Sequence, residues 1–209
     1  MSFYNFARKV CVVFFRICFK LHVKGIENVP PYGEGVILIS NHQSNLDPVL
    51  LGLYIKHRKL FFMAKEELFK VPILSSIIKK LGAFPVKRGK KDLGAIKKAE
   101  EIVSSGKILA MFPEGGRSKT GKLLRPKVGA TKIAVSTCKK ILPCSICYSS
   151  KRRFRSNIYV EYGKPISVVE MMDNLNINCD QLNSQKLKMI AEKSWEKVSE
   201  IYNLQREEI

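Results

Sequence analysis

The sequence has no apolar run long enough to form a helix that crosses a membrane. Bulky apolar residues concentrate near the N terminus, but the longest uninterrupted apolar stretch there is Val10–Phe15, whereas a spanning helix needs about 20 predominantly apolar residues. Arg16 also breaks the apolar region that a secretory signal would need, and no small-residue cleavage site follows it. We therefore expect neither a conventional transmembrane span nor a secretory signal.

Cysteine and histidine are too few and too dispersed to predict a disulfide framework or a metal centre. The 209 residues include six cysteines and three histidines, and without an export signal the cysteines should remain reduced thiols. Cys144 and Cys147 form a Cys-x-x-Cys pair, yet no second pair completes a zinc site. Side chains three residues apart on a strand point to opposite faces, so we expect structural cysteines and no bound metal.

Acidic residues are scarce relative to basic ones, with 18 against 37 and a formal net charge of +19. Such an excess favours an anionic partner: a phospholipid surface, a nucleic acid or an acidic carrier protein. The sequence lacks an RNA-recognition signature, zinc-finger spacing and a helix-turn-helix pattern, so nucleic acid is not the expected partner. For most of these charges a solvated basic surface is the alternative.

We predict that residues 1–25 form an N-terminal amphipathic helical segment that attaches to a membrane, and that residues 26–209 form one domain. Basic residues interrupt the bulky apolar ones of the first segment at Arg8, Lys9, Arg16 and Lys20. This composition suits a helix lying in the membrane interface, with lysine and arginine reaching the lipid headgroups. An amphipathic helix packed on the core is the alternative.

Strand-like and helix-like patterns alternate along the rest of the chain. The predicted strands are 35–40, 59–64, 83–87, 107–112, 141–147 and 157–162, and the predicted helices are 48–57, 72–81, 91–105, 128–139 and 181–205. Such alternation predicts an α/β fold in which helices cover a central sheet. Ligands of sheets of this kind bind beyond the ends of the strands.

A histidine and an aspartate five residues apart, His42 and Asp47, follow the apolar run Val36–Ile39. A histidine oriented by a carboxylate is the usual group for taking a proton from a hydroxyl. On a regular helix the two side chains would diverge, so they can meet only if a strand ends near Ser40, the chain turns, and a helix starts near Pro48. The structural alternative is an Asp47 helix cap followed by proline, beside a histidine without a catalytic role.

Further segments accompany this pair along the chain. Before the pair stands Asn41, and after it come Lys65, Leu68, Pro72, Gly82, Val86 and Arg88, then Phe112–Ser118, then Ile141-Leu142-Pro143. In this order they resemble the four motifs of the glycerolipid acyltransferase family, specifically the 1-acylglycerol-3-phosphate acyltransferases. Ser75 stands where the second motif often has glycine, and Gly116 stands where the third usually has threonine. The resemblance implies that the sheet is mixed and largely parallel.

The resemblance also implies transfer of a fatty acyl group from a thioester to a glycerol hydroxyl. His42 would be the general base, its ring held by Asp47, and no enzyme nucleophile is needed. Backbone amides near Gly115-Gly116 or around Gln43-Ser44 are both candidates for stabilising the oxyanion. The implied phosphate-binding residues are Arg88, Arg117 and Lys127, and the implied supporting residues are Asn41, Lys65, Glu114, Gly115 and Gly116.

The expected reaction converts 1-acylglycerol 3-phosphate (lysophosphatidate) into phosphatidate at the cytoplasmic face of the cell membrane, where the protein would be peripheral or monotopic. The donor would be a thioester of acyl carrier protein or of coenzyme A, and no cofactor is expected. Another lysolipid or glycerol 3-phosphate is an alternative acceptor, and a basic lipid- or nucleic-acid-binding protein is the non-enzymatic alternative. A hydrolase is disfavoured because no Gly-x-Ser-x-Gly pattern is present. The apolar segments 48–57 and 71–81 could line an acyl-chain groove or belong to the core.

Overall fold

The computed structural model describes residues 3–87, 92–149, 154–178 and 182–209. Strands and helices alternate through most of these ranges. The strands are β1 (Lys20–Lys24), β2 (Val36–Ser40), β3 (Leu60–Lys65), β4 (Ala83–Val86), β5 (Ile108–Met111), β6 (Lys140–Tyr148) and β7 (Asn157–Tyr162). The helices are α1 (Phe3–Cys18), α2 (Asp47–Leu53), α3 (Pro72–Lys80), α4 (Leu93–Ser104), α5 (Gly129–Thr137), α6 (Val168–Asn174) and α7 (Ser184–Glu207). Short 3₁₀ segments occupy Ile26–Asn28 and Glu66–Lys70.

All seven strands belong to one sheet with the order β1-β7-β6-β2-β5-β3-β4. Neighbouring strands are parallel except for β6 and β7, which are antiparallel. The predicted mixed, largely parallel sheet covered by helices is therefore confirmed.

The centre of the sheet is β2, which pairs with β5 on one side and with β6 on the other. All of its residues are buried, because helices cover both faces of the sheet. Val36 and Leu38 pack in one cluster with residues of α1 and α2, whereas Ile37 and Ile39 pack in a second cluster with residues of α4 to α7. Burial on both faces explains why this strand is a continuous apolar run rather than an alternating one.

The N-terminal helix is shorter than the predicted segment 1–25. It ends at Cys18, and Lys20–Lys24 then form β1, which pairs in parallel with β7. The prediction of an entirely helical segment was therefore wrong at its C-terminal end. The alternation of exposed and half-buried residues in β1 is typical of an edge strand, whose polar side chains remain in solvent.

Two further differences concern helices. The helix predicted for 48–57 ends at Leu53, and the short helix α6 was not predicted. The Cys-x-x-Cys pair behaves as expected, because Cys144 and Cys147 are buried free thiols on β6. Among the described residues, no helix has the length and apolar character needed to cross a membrane.

The parallel arrangement brings several strand ends to one edge of the sheet. β2, β3, β5 and β6 all run in the same direction. The residues that follow their carboxyl ends therefore meet there, and these residues include three of the segments identified from the sequence. This edge is where an α/β sheet usually binds its ligand.

Candidate active site

His42 and Asp47 meet across the turn between β2 and α2. The imidazole Nδ1 lies 2.8 Å from Oδ2 of Asp47, whose side chain is almost completely buried, whereas the histidine side chain is 13% exposed. β2 ends at Ser40 and α2 begins at Asp47, so the chain reverses between the two residues as the sequence predicted. No hydrogen bond joins Nε2 of His42 to a residue in the described ranges, which leaves that nitrogen available to a substrate.

The carboxylate of Asp47 is held by three further donors. The backbone N–H groups of Gln43 and Ser44 donate to Oδ2 at 2.6 and 2.7 Å, and the Tyr148 hydroxyl donates to Oδ1 at 2.5 Å. An aspartate carboxylate can only accept hydrogen bonds, so the imidazole proton facing it belongs on Nδ1. The alternative of an Asp47 helix cap does not hold, because the N-terminal cap residue of α2 is Leu46 and no side chain forms a hydrogen bond there.

The loop after β5 contacts the histidine from the other side. The Phe112 ring stacks on the His42 ring, with centroids 4.1 Å apart. The backbone N–H of His42 donates to Oε1 of Glu114 at 3.1 Å, and the backbone N–H of Ser118 donates to the His42 carbonyl at 2.7 Å. The loop therefore fixes both the ring plane and the backbone of His42.

Glu114 is a buried carboxylic acid with an unusual environment. Burial raises its pKa to about 7, the nearby charge of Asp47 acts in the same direction, and the His42 N–H opposes them. Its second oxygen, Oε2, has no hydrogen-bond partner among the described residues. A substrate hydroxyl beside His42 is one group that could satisfy this oxygen.

Asn41 supports the site from within the sheet. Its amide Nδ2 donates to the Ile146 carbonyl and its Oδ1 accepts from the Ile146 N–H, both at 2.8 Å. The side chain is completely buried, so both of its polar ends need such partners. This pair of bonds continues the pairing of β2 with β6 by one residue and places His42 just beyond the sheet.

The structure brings two of the predicted phosphate-binding residues to this edge. Nη1 of Arg117 donates to Oδ1 of Asn45, in the turn between His42 and Asp47, at 2.8 Å. The Lys127 side chain passes over Gly115, where an added Cβ would lie only 2.6 Å from the ammonium nitrogen. Gly115 also has a φ of 69°, so glycine is required there for both space and backbone conformation.

Two further basic residues were predicted for the site, Arg88 and Lys65. Arg88 lies outside the described residues. Lys65, at the end of β3, is exposed and forms an ion pair with Glu67 at 3.1 Å. Among the described residues, no hydrogen bond or ion pair joins Lys65 to His42 or Asp47, so no observed contact supports its predicted role.

The structure separates the two sets of candidate oxyanion donors. The N–H groups of Gln43 and Ser44 already donate to Asp47, which argues against them as oxyanion donors. The Gly115 N–H donates to the Phe112 carbonyl at 3.0 Å. Gly116 remains, since its N–H has no acceptor within the described parts of the chain and its Cα faces open space.

Sequence reasoning missed Tyr148 and the side-chain contact of Gln43. Gln43 Nε2 donates to the Tyr202 hydroxyl at 3.0 Å, and that hydroxyl donates to the Gly121 carbonyl at 2.6 Å. The sequence signal for Tyr148 was its position at the end of a predicted strand. Its contact with Asp47 could be predicted only by knowing that this strand pairs in parallel with β2. No group of His, Cys, Asp and Glu side chains in the described ranges could hold a metal ion.

The two segments considered for an acyl-chain groove have different environments. In α2, Leu50, Leu51 and Leu53 are buried in the core. In α3, Ile73, Leu74 and Ile77 are exposed, Ile78 is half-buried and only Ser75 is buried. Neither segment therefore lines an enclosed groove with these side chains.

Comparison with known proteins agrees with this geometry. A family model described as Acyltransferase matches residues 20–147. The chain is 30% identical over 135 residues to the chloroplastic 1-acyl-sn-glycerol-3-phosphate acyltransferase LPAT1 of Arabidopsis thaliana, covering 64% of this chain and 37% of that protein. It is 29% identical over 176 residues to the 1-acyl-sn-glycerol-3-phosphate acyltransferase of Streptococcus pneumoniae, covering 81% of this chain and 64% of that protein. The chain thus spans less than two thirds of the length of these two relatives.

A solved structure extends the similarity to the whole fold. The crystal structure of the 1-acyl-sn-glycerophosphate acyltransferase PlsC from Thermotoga maritima matches with a TM-score of 0.69 and 25% identity, covering 95% of this chain and 78% of that one. The matched family region contains the His42–Asp47 pair, the Glu114–Arg117 loop and most of the sheet that places them together. On these grounds the chain belongs to the acyltransferase family.

Proposed function

We propose that this protein transfers a fatty acyl group from a thioester to the sn-2 hydroxyl of 1-acylglycerol 3-phosphate and so produces phosphatidate. The observation that carries the proposal is the His42–Asp47 hydrogen bond at the edge of the sheet, with Arg117 held beside the same turn by Asn45. The activities for which these relatives are named support the choice of acceptor.

The proposed chemistry begins with the acceptor hydroxyl. Nε2 of His42 takes its proton while the oxygen attacks the thioester carbonyl carbon, and Asp47 stabilises the imidazolium that forms. The tetrahedral intermediate then collapses, the carbon–sulfur bond breaks, and the thiolate takes the proton from Nε2. The products are the new ester and a free thiol, and His42 is restored to its neutral form.

The intermediate needs a donor for its negatively charged oxygen. The Gly116 N–H supports this role because it has no acceptor among the described residues and lies in an open part of the loop. One such donor contributes roughly 3–4 kcal/mol to transition-state stabilisation.

Arg117 and Lys127 are the proposed partners of the acceptor phosphate. Arg117 offers a planar pair of donors suited to phosphate oxygens, and its bond to Asn45 holds it beside the turn that carries His42. Lys127 adds a second positive charge above Gly115. Arg88 remains a third proposed phosphate ligand.

We also propose that α1 attaches the protein to the membrane surface, at the cytoplasmic face. An apolar stripe of α1 faces solvent and consists of Phe3, Phe6, Val10, Val13, Phe14 and Ile17. Lys9 and Arg16 are exposed beside it. Arg8 does not reach the headgroups as expected, because its Nη1 donates to the Leu53 carbonyl at 3.0 Å and fixes α1 to α2.

The direct test is acyl transfer by the purified full-length protein. Lysophosphatidate, other lysophospholipids and glycerol 3-phosphate would each be supplied with acyl carrier protein or coenzyme A thioesters, and the products identified by mass. The expected product is phosphatidate, and the rate of acyl transfer to lysophosphatidate should be much higher than the rate to the other acceptors.

Preference for glycerol 3-phosphate or for another lysolipid would replace the proposed acceptor and keep the acyl transfer. Thioester hydrolysis without any transfer would contradict the proposal as a whole. Comparison of the two thioesters identifies the donor. The positive charge of the chain does not indicate which one is used, because acyl carrier protein and coenzyme A are both anionic.

A further inference from the structure

The helix α3 leaves most of its apolar residues in solvent. Ser75 is its buried residue, whereas Ile73 is 77% exposed and Leu74 and Ile77 are also exposed. A helix that only covers a protein core buries its apolar stripe and leaves its polar residues in solvent. The apolar face of α3 therefore has no partner within the described chain, and such faces commonly mark interaction surfaces.

The exposed face extends in both directions beyond α3. Leu68 and Val71, which precede the helix, are exposed apolar residues. At the other end, the ammonium group of Lys80 lies 5.4 Å from the centre of the Phe3 ring of α1. The α3 surface, defined as Leu68, Val71, Ile73, Leu74 and Ile77, thus adjoins the apolar stripe of α1.

The charges around the α3 surface are mainly positive. Lys70, Lys79 and Lys80 are exposed along it, and the carboxylate of Glu67 is paired with Lys65. An apolar face bordered by lysines matches the interface of an anionic phospholipid bilayer, where side chains insert and ammonium groups meet phosphates. A second copy of the chain is a poorer occupant, because each copy carries a net charge of +19 and the two would repel.

We propose that the α3 surface binds anionic phospholipid bilayers as a second contact beside α1. The segment before α3 follows the carboxyl end of β3, at the same edge of the sheet as His42. Docking through both helices therefore orients the active-site edge toward the lipid headgroups. The value of this orientation for catalysis rests on the proposed function, in which the acceptor is itself a bilayer component.

Vesicle binding by the full-length chain tests the proposal. The double variant Ile73→Ser/Ile77→Ser is compared with Val169→Ser, which removes an exposed apolar residue of α6 on the other side of the sheet. We expect the double variant to partition at least about tenfold more weakly onto vesicles of phosphatidylcholine with phosphatidylglycerol, and Val169→Ser to bind like the original protein. Circular dichroism and thermal unfolding check that both variants remain folded.

Unchanged vesicle binding by the folded double variant would overturn the proposal and leave α1 as the attachment site. A dimer in light scattering that becomes a monomer in the double variant would overturn it too, because a second copy would then cover the surface. Turnover separates this question from the proposed reaction. The double variant should lose activity on vesicle-borne lysophosphatidate and keep it on a water-soluble short-chain acceptor. If the proposed reaction is wrong, the original protein lacks both activities, and the vesicle-binding result still tests the α3 surface.

Discussion

Tyr148 donates its hydroxyl hydrogen to Oδ1 of Asp47, the oxygen that does not face His42. The two residues are 101 positions apart in the chain, and the parallel pairing of β6 with β2 brings them together. In the proposed reaction Tyr148 therefore acts through Asp47, as a positioning residue, by fixing the orientation of the carboxylate that holds the imidazole.

We expect Tyr148→Phe to lower kcat about tenfold while the KM values for both substrates change little. A hydrogen bond to a charged group contributes roughly 1.5–3 kcal/mol, and part of the orientation is retained because two backbone amides still hold Asp47. Steady-state kinetics with each substrate varied would measure the split. An unchanged kcat would show that the amides alone suffice.

His42→Ala should lower turnover by roughly 10²–10⁴-fold, the usual contribution of general base catalysis. His57→Ala is the matched control, because this histidine is exposed and lies outside the site. The measurement is acyl transfer by each purified variant, with circular dichroism to verify folding. Near-normal turnover of the folded His42 variant would remove the residue from the mechanism.

Arg117→Ala should raise the KM for a phosphate-bearing acceptor much more than the KM for the acyl donor. The guanidinium is exposed and held beside the His42 turn by Asn45, where it can form paired hydrogen bonds to phosphate. Arg117→Lys keeps the charge but loses the planar fork, so it should recover only part of the affinity. Equal increases for both substrates would argue against a phosphate contact.

Glu114→Gln should change how stability depends on pH. The pKa of Glu114 is about 7 in the folded protein against an ordinary value of 4.5, so between these values the folded state keeps a proton that the unfolded state has lost. The contribution of Glu114 to the free energy of unfolding is therefore fully present below pH 4.5 and is lost as the pH rises toward 7.

Because glutamine imitates the protonated acid, Glu114→Gln should gain stability relative to the original protein between pH 5 and 7. Urea unfolding at several pH values, with both proteins measured in the same buffers, gives this difference. A constant difference across the range would mean that Glu114 does not titrate there.

The local patterns of the sequence were sufficient for several elements. The apolar run Val36–Ile39 predicted a strand, and the spacing of His42 and Asp47 required the turn that the structure contains. The edge strand Lys20–Lys24 also has an alternating pattern, but it was included in the predicted helical segment 1–25.

Three features depended on contacts between distant segments. The strand order decided that Tyr148 would reach Asp47 and that Asn41 would bond to Ile146. The turn geometry decided that Gln43 and Ser44 would donate to Asp47 rather than to an oxyanion. The packing of α3 decided that Ser75 would be buried and Ile73 exposed, the opposite of what hydrophobicity alone predicts.

The sequence by itself determined the residue types needed for acyl transfer, their order, and the alternation of strands and helices, because these depend on chemistry and on patterns within a few residues. Only the tertiary structure decided which donors remain free, which carboxylate is buried, and which apolar face is exposed. Hydrogen-bond partners and burial depend on neighbours far away in the chain, and strand pairing together with helix packing brings those neighbours together.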